Sequence, residues 1–142
     1  MASYQKRAVA IVRPKRLSDE YSYMKKRRGI NRILWAHYYS FRGLRYCLRH
    51  EAAFRQEFLL GLVVIPAIFL ANLTNGEQAL LCVSYLLILI VELLNTAIEK
   101  TIDRISLELH ELSQIVKDVA SAAVALSFIQ FLGCVAIVFF LP

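Results

Sequence analysis

Glycine is scarce in this sequence, with five residues at positions 29, 43, 61, 76 and 133. Glycine-rich loops that cradle phosphates, such as GxxxxGKS/T and GxGxxG, need several glycines within a few residues. These five glycines are too widely spaced for either loop. The HRD and DFG signatures of protein kinases are missing as well. Any nucleotide that the chain binds must therefore be held by side chains and a metal ion.

Cysteine is scarce too, since Cys47, Cys82 and Cys134 are the only three. They lack the close spacing of metal-binding or redox-active pairs. Two of them fall within apolar runs, so we predict that all three are small hydrophobic side chains. No apolar run follows the first basic residues, so we expect no cleavable signal peptide.

Acidic residues are nearly missing from the first third of the chain. Residues 1–50 contain 13 of the 17 Lys and Arg residues but only two of the 11 acidic residues. We predict that residues 1–29, which include KKRRG at 25–29, form a basic and mobile cytosolic tail. Four consecutive cations suit an anionic lipid surface, at about 1 kcal/mol each, but a solvated tail that sets membrane orientation is the simpler interpretation. The tail has no nucleic-acid-binding motif, so no nucleic acid partner is expected.

Long runs that are poor in charge dominate the rest of the sequence. Hydrophobic residues make up 58% of the chain and the mean hydropathy is +0.50, which is more than a soluble domain of 142 residues could bury. Three runs, at 58–76, 78–98 and 119–142, contain at most one charged residue each. Since about 20 apolar residues span a bilayer as a helix, we predict an all-α integral membrane protein with spans at about 53–73, 78–100 and 117–141.

Residues 30–50 differ from these runs because aromatic and aliphatic side chains are interleaved with arginines. This pattern is typical of an amphipathic helix on the membrane surface. Lys and Arg are frequent in residues 1–50 and recur at 100–118, whereas the turn at 72–77 has none. The positive-inside rule therefore predicts a cytosolic N-terminus and a C-terminus on the far side of the membrane.

A polar stripe interrupts the second predicted span. Glu92, Asn95, Thr96 and Glu99 follow an i, i+3, i+4, i+7 spacing, which places them on one face of a helix. A charged side chain inside the membrane costs at least about 2.5 kcal/mol, so this face must contact protein, water or a ligand. Contacts between helices would account for the amide and the hydroxyl, but they account poorly for two glutamates.

Paired carboxylates at this depth fit two kinds of chemistry. Mg²⁺ takes oxygen ligands, commonly one or two carboxylates plus nucleotide phosphates, and a free carboxylate can accept a proton from a hydroxyl. Alternatively, a membrane glutamate can alternate between a proton and a cationic substrate in a small proton-coupled transporter. A transporter needs its acid deep in the span, whereas these acids lie at a predicted boundary beside cations such as Lys100. The first chemistry is therefore favoured.

Four segments carry a resemblance to a known family: EAAFRQE at 51–57, VELLNTAIEKTIDRI at 91–105, ELHELS at 108–113 and KDVASAAV at 117–124. As a set they are similar to the small bacterial membrane diacylglycerol kinase family. The resemblance implies a kinase domain over residues 30–142, with three spans and the surface helix in each chain of a homotrimeric helical bundle. It also implies active sites shared between neighbouring chains, and a multi-pass protein of the bacterial inner membrane with a periplasmic C-terminus.

The reaction implied by this resemblance is transfer of the γ-phosphoryl group of ATP to diacylglycerol, which gives phosphatidic acid and uses Mg²⁺. ATP, diacylglycerol and other membrane lipids are therefore the expected partners. Undecaprenol kinase, a Gram-positive relative, is the alternative within this class, although EAAFRQE favours the Gram-negative branch. A small proton-coupled transporter is the alternative from a different class.

The resemblance also implies roles for individual residues. Glu92 matches the general base, which would also contact the lipid, and Asn95 matches a residue that orients the site. Glu51 and Glu99 match the Mg²⁺ ligands, and they would contact the nucleotide through the metal. The other matched positions are nucleotide contacts at Tyr39, Glu108, His110, Lys117 and Asp118, and lipid contacts at Arg32, Ser40, Arg55, Gln56, Glu57 and Ser121.

Some of these residues also have simpler explanations. Glu51 and Arg55 are four residues apart and fit a surface ion pair on one helix. Lys117 and Asp118 fit the charged start of a helix.

The sequence departs from the family at three positions where glycine is usual. These positions hold Ser106, Gln114 and Ala120. Because glycine lets the backbone approach a phosphate or another helix closely, we expect the nucleotide-binding segment of this chain to differ in shape.

Overall fold

The computed structural model describes residues 29–105 and 110–140, and within these ranges every regular element is an α-helix. The helices in chain order are α1 (Ile30–His50), α2 (Ala52–Leu70), α3 (Asn75–Ile105) and α4 (Glu111–Phe140). Most of the predicted basic tail lies outside the described residues, and so do Ser106 and Glu108. The prediction of an all-α chain is confirmed for the described ranges.

Contacts within the chain form two compact units, which meet in sequence between Arg42 and Gly43. In the first unit, the aromatic rings of α1 pack on one another. The ring centroid of Trp35 lies 5.3 Å from that of Tyr38 and 5.8 Å from that of Tyr39. The Arg42 guanidinium lies 5.2 Å from the centroid of the Tyr39 ring, a cation–π contact. These contacts do not test whether α1 lies on a membrane surface, which stays a prediction.

The second unit contains three helices, α2, α3 and α4, that are long and apolar enough to cross a membrane, in the described part of the chain. This confirms the prediction of three spans. The 31 residues of α3 extend over about 46 Å at 1.5 Å per residue, more than the roughly 30 Å of a hydrocarbon core. The ends of α3 must therefore project beyond the apolar layer.

Helices α3 and α4 are both longer than the spans predicted from hydropathy. Helix α3 continues through its charged residues to Ile105, and α4 already begins at Glu111. Glu, Lys and Arg are good helix formers, so the charges that end an apolar run do not end the helix. Lys117 and Asp118 consequently lie in the second and third turns of α4 instead of at its start.

The ends of the helices have specific caps. The Thr74 backbone N–H and hydroxyl both donate to Glu77 Oε2 at 2.7 Å, and the Glu77 N–H donates to the Thr74 hydroxyl at 3.4 Å. This reciprocal pair is a capping box at the start of α3. At the start of α4, the Leu112 N–H donates to His110 Nδ1 at 3.2 Å.

Helix α3 is the central element of the second unit because it packs against both α2 and α4. Its apolar core residues Leu81, Tyr85 and Ile88 are at most 2% exposed. They share one face, and the same face continues to the buried side chains of Glu92 and Thr96. The polar stripe thus prolongs the packing face of α3, so its charges face the other helices.

Tyr85 fixes the contact between α3 and the other two helices. Its hydroxyl donates to the backbone carbonyl of Glu57 on α2 at 2.7 Å. Its ring packs edge-on against Phe131 of α4, with 5.3 Å between the ring centroids. The ring also occupies the space beside Gly61, where a Cβ atom would lie only 2.7 Å from Tyr85 Cε1. Glycine at this position therefore permits the close approach of α2 and α3.

The cysteines do not form disulfides among the described residues. Cys47 is buried, and Cys82 and Cys134 are half-buried. Burial raises the pKa of the Cys47 thiol, and the nearby Glu51 carboxylate raises it further. These environments are those of small apolar side chains.

Replacing Gly61 with Ala should destabilise the second unit, because the added methyl group collides with a ring that is 2% exposed. Such overpacking costs about 1–3 kcal/mol, so the midpoint of thermal unfolding in detergent should fall. Gly76→Ala on α3 is the control, since nothing lies within 4 Å of its added Cβ. Tyr85→Leu should restore stability in the Gly61→Ala background. A double variant that is no more stable than Gly61→Ala would contradict this account.

Candidate active site

A cavity of about 280 Å³ lies in the second unit, where the start of α2 approaches α3 and α4. Its walls combine four carboxylates and an amide with hydroxyl and small apolar side chains. The lining residues are Glu51, Ala53, Glu57, Glu92, Asn95, Thr96, Glu99, Ser121 and Val124. A concave site with several convergent polar groups is the expected form of a ligand site.

Helix α3 supplies one wall of the cavity through its polar stripe. Glu92 and Thr96 are 5% and 6% exposed, so both belong to the interior of the unit. The Asn95 amide nitrogen donates to Glu99 Oε1 at 3.3 Å, one helical turn away. This bond restricts the orientation of the Glu99 carboxylate. The stripe therefore acts as one connected group of side chains.

The start of α2 supplies the opposite wall. Glu51 is the N-cap residue of α2, but its side chain makes no capping bond. Its Oε1 atom instead lies 2.9 Å from the Lys100 ammonium on α3, which makes an ion pair. Charge attraction therefore holds this contact. Two turns further along, the backbone of Glu57 is fixed by the Tyr85 hydroxyl.

Two buried oxygen atoms in the cavity wall, Glu57 Oε2 and Asn95 Oδ1, have neither a hydrogen-bond donor nor an ion-pair partner among the described residues. A third, Glu51 Oε1, has only its ion pair with Lys100. Buried polar atoms are nearly always paired in proteins, so these atoms indicate that the cavity takes a polar or cationic ligand. The donor set is entirely oxygen, which suits hard cations such as Mg²⁺.

The carboxylates do not form a closed metal site by themselves. In residues 29–105 and 110–140, no three His, Cys, Asp or Glu side chains are grouped closely enough to hold an ion. Mg²⁺ commonly binds through one or two carboxylates and completes its shell with substrate phosphates and water. The side chains therefore fit a metal that arrives with a phosphate ligand.

Comparison with known proteins identifies the family to which this chain belongs. The sequence profile of prokaryotic diacylglycerol kinase matches residues 38–139. The chain belongs to this family. It is 55% identical over 95 residues to a diacylglycerol kinase of Pseudomonas aeruginosa. The aligned segment covers 67% of this chain and 77% of that protein. This agrees with the resemblance found in the sequence motifs.

Two further relatives are also diacylglycerol kinases of Gram-negative bacteria. The protein of Escherichia coli K12 is 45% identical over 104 residues, covering 71% of this chain and 83% of the relative. The protein of Haemophilus influenzae is 41% identical over 101 residues, covering 71% and 86%. The match to the family profile, over residues 38–139, includes nearly all of the residues that the structure describes.

Six of the residues that the motifs marked as functional line this cavity: Glu51, Glu57, Glu92, Asn95, Glu99 and Ser121. They come from positions up to 70 residues apart in the sequence, on α2, α3 and α4 or, for Glu51, at the N-cap of α2. Their convergence is a fact of the geometry, while the separate roles given to them stay predictions.

Other marked residues of the second unit do not line the cavity. Arg55 and Gln56 are exposed on α2, and the Arg55 guanidinium donates to the Arg49 carbonyl at 3.4 Å. The Lys117 ammonium donates to Asp103 at 2.6 Å across the α3–α4 connection. His110 and Asp118 are exposed, and His110 caps α4.

The simpler explanation of Glu51 as half of a surface ion pair with Arg55 differs from the structure. The carboxylate of Glu51 is only 18% exposed and is paired with Lys100. Arg55 contacts a backbone carbonyl instead. The α2 helix begins one residue after Glu51, so the regular i, i+4 geometry on a helix surface does not apply to this pair.

Three marked residues belong to the first unit, and their contacts are with residues of α1 or with Gly29 directly before it. The Ser40 hydroxyl donates to the Ala36 carbonyl at 3.0 Å, and the Arg32 N–H donates to the Gly29 carbonyl at 3.0 Å. Tyr39 stacks with its aromatic neighbours. Their expected contacts with lipid or nucleotide stay predictions.

The sequence motifs assigned no role to several residues at or beside the cavity. Helical spacing placed Thr96 in the polar stripe but gave it no function. Val124 is three residues after Ser121 on one face of α4, so helical spacing could have found it. Ala53 has no functional group in its side chain that could have marked it as a cavity residue. Lys100 contacts Glu51 from 49 positions away, and only the packing of α2 on α3 could show this.

Proposed function

We propose that this chain is a diacylglycerol kinase that transfers the γ-phosphoryl group of ATP to the free hydroxyl of diacylglycerol. The products are phosphatidic acid and ADP. The observation that carries the proposal is the convergence of Glu51, Glu92 and Glu99 on one cavity at the polar end of a membrane helix bundle. Membership of a family whose members are named diacylglycerol kinase supports the same reaction.

Mg²⁺ is the proposed metal, with Glu51 and Glu99 as its protein ligands. The all-oxygen donor set and the orphaned Asn95 Oδ1 fit such an ion. When bound, the ion would neutralise charge on the phosphate oxygens. Phosphoryl transfer depends on positioning and charge neutralisation more than on covalent help, so this small set of groups is sufficient.

Glu92 is the proposed general base. Its carboxylate is buried, it lines the cavity, and it lies two turns from Glu99 on the same helix face. It would accept the proton of the diacylglycerol hydroxyl as that oxygen bonds to the γ-phosphorus. The bond between the γ-phosphorus and the bridging oxygen of ADP breaks in the same transfer. Asn95, hydrogen-bonded to Glu99, would keep the two carboxylates in their separate orientations.

The other matched residues are proposed to hold the two substrates. Glu57 and Ser121 line the cavity, where they would meet the lipid headgroup. The remaining proposed lipid contacts are Arg32, Ser40, Arg55 and Gln56, and the remaining nucleotide contacts are Tyr39, Glu108, His110, Lys117 and Asp118. Gln114 is exposed and Ala120 is buried where the family usually has glycine, so the start of α4 would bind the nucleotide with a different backbone approach.

The working unit is proposed to be a homotrimer with active sites shared between chains. Among the described residues that line the cavity, none is Lys or Arg. A triphosphate needs positively charged partners, and a neighbouring chain can supply them.

Chemical cross-linking of the protein in mild detergent should therefore give a species of three chains as the largest product. A ladder that ends at two chains would contradict the trimer.

Phosphorylation of lipid by the purified protein tests the reaction directly. Detergent-solubilised protein with Mg²⁺ and ATP labelled at the γ-phosphate should label phosphatidic acid when diacylglycerol is supplied. Undecaprenol, assayed in parallel, should be labelled far less. Label in the polyprenyl product alone would select an undecaprenol kinase. Failure to label either lipid would shift the assignment towards a proton-coupled transporter.

Glu92→Gln and Glu99→Gln should separate catalysis from binding. Loss of a general base reduces turnover by about 10²–10⁴-fold, so Glu92→Gln should lose activity while MgATP binding stays within a factor of two or so of wild type. Glu99→Gln should instead weaken MgATP binding, as measured by equilibrium dialysis. Glu77→Gln, at the other end of α3, is the control and should keep normal turnover. Near-normal turnover of Glu92→Gln would remove it as the base.

The protein is proposed to lie in the bacterial inner membrane, with the N-terminus in the cytosol and the C-terminus in the periplasm. The basic residues of the first 50 positions, and Lys100, Arg104 and Lys117 between positions 100 and 118, support this orientation. Alkaline phosphatase fused after Pro142 should be enzymatically active, as expected in the periplasm. The same enzyme fused within residues 106–109 should be inactive, as expected in the cytosol. The reverse pattern of activity would show the opposite orientation.

A further inference from the structure

The ion pair between Glu51 and Lys100 places a cation of the chain on a proposed metal ligand. The Lys100 Nζ atom lies 2.9 Å from Glu51 Oε1. Glu51 lines the cavity, while Lys100 follows Glu99 directly in α3 and does not line it. The ammonium therefore approaches the carboxylate from the edge of the site and partly balances its charge.

The geometry of this pair makes it easy to exchange. The Glu51 carboxylate is 18% exposed, whereas the Lys100 side chain is 47% exposed. The ammonium can thus leave towards solvent while the carboxylate stays in the cavity wall. Partly exposed ion pairs of this kind are generally weak.

The charge of the cavity explains why such a pair is useful. Four glutamates line a small space, and they repel one another when no cation is present. A lysine that contacts one of them reduces this repulsion in the ligand-free protein. A metal ion at Glu51 would remove the need for Lys100, because two cations compete for the same carboxylate.

We infer that Lys100 is a resident counter-ion of the metal site, which is displaced from Glu51 when the metal–nucleotide complex binds. The inference rests on the proposed function for the identity of the complex. The displaced ammonium, on a flexible four-carbon stem, then turns to the phosphates that the metal brings. Lys100 is thus a positioning residue of the ligand-free site and a specificity residue of the loaded one.

This role gives Lys100 opposite effects on two ligands. Competition for Glu51 weakens binding of a bare divalent cation. Attraction to phosphate strengthens binding of a metal–nucleotide complex. A residue that only supports the fold would change both affinities in the same direction, or neither.

The Lys117–Asp103 pair does not have these properties. It also joins a lysine to an acidic side chain, but Asp103 does not line the cavity. Both of its side chains are about equally exposed, at 40% and 45%. Release of Lys117 would therefore leave no proposed metal ligand free.

The test measures binding of Mn²⁺ alone to the detergent-solubilised full chain, by the loss of the free Mn²⁺ signal in electron paramagnetic resonance. Lys100→Met keeps most of the aliphatic stem and removes the charge. It should bind Mn²⁺ at least about threefold more tightly than wild type, since a nearby like charge is gone. Lys100→Arg should resemble wild type. Lys100→Gln is a second neutral variant, and both neutral variants should retain cooperative thermal unfolding.

Two controls assign the effect to the contact with Glu51. Arg104→Ala removes a positive charge four residues further along α3 and should leave Mn²⁺ affinity within about 1.5-fold of wild type. Glu51→Gln combined with Lys100→Met should cancel the tightening. The same neutral Lys100 variants should bind the Mg²⁺ complex of a non-hydrolysable ATP analogue at least about threefold more weakly.

Several outcomes would overturn the inference. One is unchanged or weaker Mn²⁺ binding in both neutral variants, including the case in which neither they nor wild type binds detectably. Tighter binding that survives Glu51→Gln would do the same, as would tighter binding of both ligands. Wild-type lipid phosphorylation is measured separately. If the neutral variants bind Mn²⁺ more tightly and the Mg²⁺–nucleotide complex more weakly, but the wild-type protein phosphorylates no lipid, the role of Lys100 is supported. The proposed lipid substrate is then wrong.

Discussion

The structure depends on one constraint, that Glu92 and Glu99, the two carboxylates of the polar stripe on α3, must face other helices and not lipid. Burying an unpaired charge in hydrocarbon is costly, and α3 meets the constraint with a single face. That face carries Tyr85 and Ile88 into the apolar core and then Glu92 and Thr96 into the cavity. The buried packing surface and the wall of the cavity are therefore one continuous face of α3.

This continuity explains why residues far from the cavity control its geometry. Tyr85 holds the Glu57 carbonyl of α2 and packs against Phe131 of α4, so one side chain sets the relative height of all three helices. The missing side chain of Gly61 allows this contact. The glutamates then converge because the helices that carry them are fixed about two turns away. A shift of α2 would move Glu51 and Glu57 together relative to Glu92.

Much of this arrangement could be predicted from the sequence. The i, i+3, i+4, i+7 spacing predicted the polar stripe of α3, and hydropathy predicted three spans. Hydropathy measures transfer into lipid and not helix formation, so it could not give the ends of α3 and α4. The tertiary contacts were also beyond reach. Lys100 was expected only as a boundary cation, whereas packing brings it to Glu51 across 49 positions.

The same residues show how a small membrane protein can work without a glycine-rich phosphate loop. Such a loop holds phosphate with backbone N–H groups, but the backbone N–H groups of a spanning helix are already used within the helix. Under the proposed function, side chains and a metal ion would hold the phosphates instead, which requires several carboxylates close together. Their repulsion is then a permanent feature of the ligand-free protein, and the site needs a nearby cation that can leave. Lys100 meets both requirements, because it contacts Glu51 and its ammonium remains open to solvent.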